Sequence, residues 1–313
     1  MADLQKFLWG RTGVFLMATL ACLLWGSAFP AVKYGYALLD IEAGETASQI
    51  VYAGWRFALA GALLLFVAAV TGQKPLLPRR WQLPQVFILG LFQTAIQYAL
   101  FYIGVAHTTG ARSSIMNSTG VFFSVILAHF IYKSDRLDAG RVLGCIAGFI
   151  GVAVVNLDGG LDSHFSLRGE GFIALAAFML AASSILGKHL SRAMNAAVMT
   201  GWQLLIGGVI LTVAGHLLGG EVGSWTTEAA LLLAYLVMIS SVSFSVWGFL
   251  LKHHPVGMIA PFKFLIPVFG ILISALLLSE EVLRPTYFFA LLLVCVGVWL
   301  VTRTRGRIIS ETG

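Results

Sequence analysis

The segment GARSSIMNSTGVF at residues 110–122 has a counterpart 147 positions further along the chain, GMIAPFKFLIPVF at residues 257–269. Both segments begin with glycine, end in Val-Phe and lie within apolar runs. At the same offset, GWR at residues 54–56 recurs as GWQ at residues 201–203. Because these matches keep their order and spacing, they indicate that the second half of the chain repeats the first.

The amino-acid composition indicates that the duplicated segments lie in a membrane. Of the 313 residues, 58% are hydrophobic and only 11% are charged, with a mean hydropathy of +0.89, whereas soluble domains contain about 25% charged residues. Crossing ~30 Å of hydrocarbon takes about 20 apolar residues. We identify ten such runs, at residues 13–38, 48–71, 84–106, 111–132, 139–157, 170–190, 196–218, 229–251, 256–279 and 285–303.

These runs predict an all-α integral membrane protein with ten transmembrane helices. The two repeats would cover residues 13–157 and 170–303, with five helices each. Since five is odd, the two copies would enter the membrane in opposite directions. This is the inverted-repeat architecture of many secondary transporters.

Basic residues are concentrated in alternate loops. If the N-terminus is cytoplasmic, the inner segments carry 14 of the 20 Lys and Arg residues, such as Lys74, Arg79 and Arg80. The outer segments are acidic, for example at Asp40 and Glu42. Because cytoplasmic loops carry the excess of basic residues, we expect both termini in the cytoplasm.

Several classes of function lack their sequence signals. The sequence contains no P-loop, no H-E-x-x-H, no G-x-S-x-G and no acidic pair within a span. Cys22, Cys145 and Cys295 lie far apart and suit neither a disulfide framework nor a metal site. We therefore expect no enzymatic activity, no cofactor and no metal, and the dispersed basic residues argue against nucleic-acid binding.

Several features together resemble the EamA-type branch of the drug/metabolite transporter superfamily. They are LWGSAFP at residues 24–30 with Lys33, WRF at residues 55–57, the basic loop before the fifth span, and PVFG at residues 267–270 followed by SEE at residues 279–281. The resemblance implies a ten-helix transporter of the bacterial inner membrane that works by alternating access. It also implies a central cavity between the two halves and the export of amino acids or related small metabolites.

Two basic residues lie inside predicted spans, where charge is costly and marks a functional hypothesis by default. Lys263 lies in the ninth span between Pro261 and Pro267 and would attract a carboxylate, or it could instead be satisfied by carbonyls of a neighbouring helix. Arg56 in the second span could contact an anionic substrate group, snorkel towards the interface or brace neighbouring helices.

Uncharged polar and aromatic residues complete the candidate site. Polar side chains within a span should face protein or water rather than lipid, so these residues either line a cavity or join helices through hydrogen bonds of ~0.6 kcal/mol each. The predicted substrate-binding residues are Lys263, Gln97, Tyr98, Asn117, Gln93, Trp25, Arg56, Ser245 and Trp202.

The main functional hypothesis is an exporter whose partners are a small-molecule substrate and the lipid bilayer, with the oligomeric state left open. Sugar-phosphate or other anionic-metabolite exchange is the alternative, because the spans contain positive charge. A non-transporting intramembrane enzyme or scaffold would need a catalytic group at depth, and a passive channel would need a continuous polar ring. Without a carboxylate deep in a span, facilitated export or exchange fits as well as proton coupling.

Overall fold

The structure is a computed structural model that describes residues 10–42, 44–107, 110–132, 137–157, 166–278 and 285–303. The described residues form helices and short connections, with no strand among them. The α-helices are α1 (Arg11–Leu38), α2 (Thr46–Val70), α3 (Leu83–Gly90), α4 (Gln97–Ala106), α5 (Gly110–Ile131), α6 (Ala139–Leu157), α7 (Phe172–Ala193), α8 (Ala196–Leu217), α9 (Thr227–His253), α10 (Val256–Ile259), α11 (Leu265–Leu278) and α12 (Pro285–Arg303).

Three further helical segments join these elements. A π-helical segment, Leu91–Ile96, connects α3 to α4, and a second one, Leu167–Gly171, leads into α7. A 3₁₀ segment, Ala260–Phe264, connects α10 to α11. It contains Pro261, whose ring nitrogen has no hydrogen to donate and interrupts regular α-helical bonding.

Six helical stretches are long and apolar enough to cross a membrane: Thr12–Leu38, Thr46–Val70, Leu83–Gly104, Leu167–Ala193, Ala196–Leu217 and Thr227–His253. Shorter apolar helices cover Thr119–Ile131, Ala139–Gly151 and Val256–Gly270. The prediction of a multi-pass, all-helical membrane protein is therefore confirmed. Each of the ten predicted spans falls on a helical stretch, but ten crossings in two inverted repeats stay a prediction. SEE at 279–281 and the side chain of Lys33 lie outside the described residues.

The helices pair in a pattern that stays the same when the two halves are exchanged. The two most extensive contacts are α2 with α8 and α6 with α12. In addition, α1 packs against α9 and α11, and α7 packs against α4 and α5. With α1 matched to α7, α4 to α9 and α5 to α11, each of these contacts has an equivalent in the other half.

Glycines bring α2 and α8 into backbone contact at two places. Gly54 meets Gly208, and Gly61 meets Gly201. A methyl group added at Gly208 would lie 2.2 Å from the backbone nitrogen of Ala58. Small residues let membrane helices approach this closely, so van der Waals contact between backbones holds this pair together.

Two apolar clusters fill the interior near the predicted site. One contains Cys22, Trp247 and Phe262 and lies around α1, α9 and the 3₁₀ segment. The other contains Phe57 and Phe244 and lies around α1, α2 and α9. Trp25 on α1 packs against both clusters, which places it at their boundary.

Candidate functional site

Four aromatic rings form a continuous row between the two basic residues of the predicted spans. In order, the rings are Trp247, Trp25, Phe244 and Phe57, contributed by α9, α1, α9 and α2. Successive ring centroids lie 5.2, 5.3 and 6.2 Å apart, within the range of attractive aromatic contacts. We call these four rings the aromatic wall.

Lys263 lies at the Trp247 end of the aromatic wall. Its Nζ is 5.1 Å from the Trp247 ring centroid, a cation–π contact worth roughly 0.5–2 kcal/mol. The adjacent carbonyl of Phe262 accepts a hydrogen bond from Cys22 Sγ at 3.2 Å, so α1 satisfies an oxygen of the interrupted helix. Among the residues that the structure describes, no carboxylate pairs with the Lys263 ammonium group.

Arg56 lies at the Phe57 end of the aromatic wall. Its side chain is only 6% exposed, which excludes snorkelling to the interface. Its Nε donates to Ser240 Oγ on α9 at 2.7 Å, and its Cζ lies 5.1 Å from the Phe57 centroid. No acidic partner of Arg56 occurs in the described part of the chain, so a bound anion would balance a buried charge that is otherwise expensive.

Tyrosines surround the Arg56 end of the wall. The Tyr98 ring lies 4.4 Å from that of Phe57 and 6.4 Å from that of Tyr102. Tyr36 and Tyr52 contact each other at 5.6 Å, and the buried hydroxyl of Tyr52 has no hydrogen-bond partner in the described structure. The ring of Tyr98 therefore extends the aromatic surface beside Phe57, over which the Arg56 guanidinium lies.

A small cavity adjoins the aromatic wall and shares Phe244 and Trp247 with it. Its lining is mostly apolar but includes four polar side chains, and we call it the polar cavity. Its volume is about 20 Å³, which is enough for about one water molecule. Its polar lining consists of Gln93, Ser184, Thr200 and Gln203. Gln93 lies in the π-helical segment before α4, and π-helical turns of this kind occur frequently at functional sites.

The hydrogen bonds of this cavity are incomplete. Gln203 Nε2 donates to Thr94 Oγ1 at a long 3.4 Å. Gln93 is 7% exposed, and its Oε1 has no partner in the described structure. Since most buried polar atoms in proteins are hydrogen-bonded, this acceptor marks a position where a ligand or water would bind.

The structure brings together five of the nine predicted residues. Trp25, Arg56, Tyr98 and Lys263 belong to the aromatic wall or contact its ends, and Gln93 lines the cavity.

Three others lie elsewhere in the helices. Gln97 is buried on α4, and the Ser245 hydroxyl on α9 is buried without a partner in the described structure. Asn117 is half-buried on α5 and is not among the residues that form the wall or line the cavity.

The remaining predicted residue, Trp202, lies apart from the aromatic wall and the cavity. Its indole Nε1 donates to the carbonyl oxygen of Leu76 at 2.8 Å, in the connection between α2 and α3. Its ring packs against a separate apolar cluster that includes Val86 and Leu190. Trp202 therefore anchors a loop, and we leave it out of the candidate site.

Several residues of the site were not predicted from the sequence. For one of them, Gln203, the internal repeat could have indicated its position. Gln203 occupies the position that corresponds to Arg56 at the offset of 147, so a polar residue at one position should have directed attention to the other. Phe57, Phe244, Ser184 and Thr200 carried no such signal, because aromatic and small polar residues are common in membrane helices.

Comparisons with known proteins agree with this architecture. The model of the EamA-like transporter family matches residues 12–157 and, a second time, residues 167–303. A probable amino-acid metabolite efflux pump of Escherichia coli (strain K12) is 26% identical over 295 residues, which cover 91% of this chain and 93% of that protein. An uncharacterized transporter of Archaeoglobus fulgidus is 25% identical over 93% of this chain and 99% of its own length. A crystal structure aligns with a TM-score of 0.77 and 18% identity over 94% of this chain and 97% of its own, a likeness of fold alone.

Proposed function

Because the chain belongs to the EamA-like transporter family, we propose that it is a secondary transporter that exports amino acids or related small metabolites by alternating access. The observation that carries this proposal is the aromatic wall with a cation at each end. Relatives in E. coli and Salmonella typhimurium bear the name of probable amino-acid metabolite efflux pumps, which supports the substrate class.

The chemistry of the wall suits a small zwitterion. A substrate carboxylate can bind Lys263 or Arg56, since neither has a carboxylate partner among the described residues. The ammonium group of the same substrate can lie over an aromatic face, where a cation gains roughly 0.5–2 kcal/mol. Trp25 and Phe244 come from different helices, so the wall can change shape when these helices move.

The proposed mechanism needs two halves that exchange roles. Three observations support inverted repeats: the offset of 147, a helix pairing that survives exchange of the halves, and a family model that matches twice. The matched stretches, 12–157 and 167–303, agree closely with the proposed repeats, 13–157 and 170–303. In such transporters, rocking of one repeat against the other exposes a central site to each side in turn.

We further propose that the protein lies in the bacterial inner membrane with both termini in the cytoplasm, on the argument from basic residues. Fusing a reporter that is active only in the cytoplasm to each terminus tests this orientation. We expect reporter activity at both termini. An inactive C-terminal fusion would place the C-terminus on the outer side, which requires an odd number of crossings and would contradict the proposal.

Transport in proteoliposomes tests the function. Purified protein should catalyse saturable uptake and counterflow of a labelled amino acid, which separates a carrier from a channel. Lys263→Gln should raise the KM about 10- to 100-fold, since a hydrogen bond to a charged group contributes about 1.5–3 kcal/mol.

The matched control is Lys74→Gln, which removes the same charge at an exposed position between α2 and α3. Its KM should equal that of the wild type. A protein that moves no amino acid from a broad panel, or a Lys263→Gln protein with unchanged KM, would contradict the proposal.

Exchange of sugar phosphates or other anionic metabolites is the second candidate. It is favoured by the positive charge at each end of the wall, since a phosphate group could bind at either end. In that case a phosphorylated sugar should drive counterflow better than any amino acid, and Arg56→Gln and Lys263→Gln should impair it equally. A scaffold or intramembrane enzyme would show no counterflow with either class of solute.

A further inference from the structure

The polar cavity beside the aromatic wall contains a buried acceptor that lacks a partner. Gln93 Oε1 is enclosed by protein, and no donor among the described residues reaches it. Rotating the carboxamide would place its NH₂ group there instead, and that group would equally need a partner. A ligand group or a water molecule in the cavity would supply this partner.

The lining of the cavity determines the charge of that group. Among the described residues, the side chains that line it are uncharged: the polar ones are Gln93, Ser184, Thr200 and Gln203, and Met199 and Leu251 are apolar. A carboxylate has no hydrogen to donate to Gln93 Oε1. An ammonium group placed there would be buried without a counter-charge and close to the ammonium groups of Lys263 and Lys188, which contact the lining residues Trp247 and Leu251. The cavity thus suits an uncharged donor.

The position of the cavity relates it to the proposed substrate. Trp247 lines the cavity and also carries Lys263 Nζ over its ring. Phe244 lines the cavity and continues the wall towards Phe57 and Arg56. A molecule whose carboxylate is held by Lys263 would have its neutral end within reach of this cavity, along the face of Trp247.

The repeat provides an independent argument. Arg56 on α2 bonds Ser240 on α9. In the other half, Gln203 on α8 occupies the position equivalent to Arg56, and it bonds Thr94, the neighbour of Gln93, which is equivalent to Ser240 at the offset of 147. At equivalent positions, one half thus has a cation and the other a carboxamide. Such an arrangement suits a ligand with one anionic end and one neutral polar end.

We infer that this cavity is the subsite for an uncharged hydrogen-bonding group of the substrate, a hydroxyl or a carboxamide. The inference rests on the proposed function and adds selectivity to it. The volume of about 20 Å³ matches a single small group, and unbranched Met199 in the lining can adjust for a slightly larger one.

The test compares threonine with valine, which have nearly the same shape and differ in one hydroxyl. In proteoliposomes the wild type should transport threonine with a kcat/KM about tenfold above that of valine, as expected for one buried hydrogen bond. Gln93→Met keeps the length of the side chain and removes its amide, so this ratio should fall to about 1.

Gln49→Met is the matched control. Gln49 is also 7% exposed, but it lies at the start of α2 and donates to the carbonyl of Glu42, away from the cavity. This variant should keep the wild-type preference for threonine. Threonine should also raise the melting temperature of the wild type more than valine does, because tighter binding stabilises the folded state.

A second variant covers the case in which Gln93→Met does not fold. A methyl group added at Gly187 would lie 3.7 Å from Gln93 Oε1, an ordinary contact, so Gly187→Ala should fold and occupy the cavity. It should lower the kcat/KM of threonine more than that of valine, because the methyl group takes the place of the hydroxyl. Equal ratios of threonine to valine in the wild type and both cavity variants would overturn the inference, and amino-acid transport itself would still stand. A wild-type protein that transports no amino acid would instead contradict the proposed function.

Discussion

Gly208→Ala tests how closely α2 and α8 are packed. The added methyl group would lie 2.2 Å from the nitrogen of Ala58 and 2.8 Å from the carbonyl oxygen of Gly54. Ordinary van der Waals contact begins at about 3.4 Å, so the helices would have to separate by about 1 Å. Both neighbours are backbone atoms, which cannot rotate away as a side chain could.

The expected loss follows from two opposing terms. Alanine favours a helix over glycine by about 1 kcal/mol, while overpacking costs about 1–3 kcal/mol or more. Here the cost lies at the upper end or beyond, because a gap of 1 Å forfeits a quarter to a half of the dispersion energy along the interface. We therefore expect a net loss of about 2 kcal/mol, or roughly 4–8 °C in the melting temperature of the purified protein.

Two further variants make the test specific. In the repeat, Gly61 corresponds to Gly208, and a methyl group there would lie 2.3 Å from the nitrogen of Leu205, so Gly61→Ala should destabilise by a similar amount. Gly187→Ala, whose methyl group would meet only side-chain atoms at 3.7 Å, should melt at or above the wild-type temperature. If Gly208→Ala melts no lower than Gly187→Ala, the proposed backbone contact is wrong.

Three more predictions concern the helix ends. The buried ammonium group of Lys188 donates to the carbonyl oxygen of Leu251, at 2.7 Å, and to that of His254. Lys188→Met should therefore lower the melting temperature by several degrees. An unchanged melting temperature would contradict this role of Lys188. Burial, with the nearby positive charges of His253 and Lys188, lowers the pKa of His254 to about 4. The unfolded chain, with a histidine pKa near 6.5, therefore binds the proton first. Stability should fall as the pH drops from about 6.5 to 4, and His254→Gln should show a smaller fall. Trp202→Phe removes the bond to a loop carbonyl, so it should lower the melting temperature while leaving the KM for amino acids unchanged.

The fold was accessible from the sequence because lipid leaves few alternatives for the backbone. Within a bilayer all backbone groups must bond inside the segment, so long apolar runs had to be helices, and the predicted span 48–71 differs from α2 by two residues or fewer at each end. The repeat could be read for the same reason. Adding the offset of 147 to the residue numbers of α2 gives α8, and adding it to those of α5 gives the stretch from Val256 to Leu278. For α1 the offset is different, because its ends match those of the stretch Leu167–Ala193 only at 155.

The site was only partly accessible, because position in a span does not determine which neighbour a side chain meets. Arg56 and Lys263 were found from the cost of a charge at membrane depth. Their connection through the aromatic wall depends on α1 packing against α9, a contact between residues more than 200 positions apart. The surroundings of Trp202 could not be read from its position either: it lies on α8, yet its indole bonds the carbonyl of Leu76 in the loop between α2 and α3.

The two halves of the chain are alike in backbone and differ in chemistry, and this combination bears on how the protein would work. The glycine contacts of α2 and α8 join the two halves symmetrically, since Gly54 with Gly208 and Gly61 with Gly201 exchange under the repeat. Recognition of a small zwitterion needs different groups at its different ends. Arg56 and Gln203 occupy equivalent positions, and each bonds a hydroxyl from the other repeat. Replacing Gln203 by arginine would make the two positions alike, and on this reasoning it should lower the ratio of threonine to valine transport in proteoliposomes.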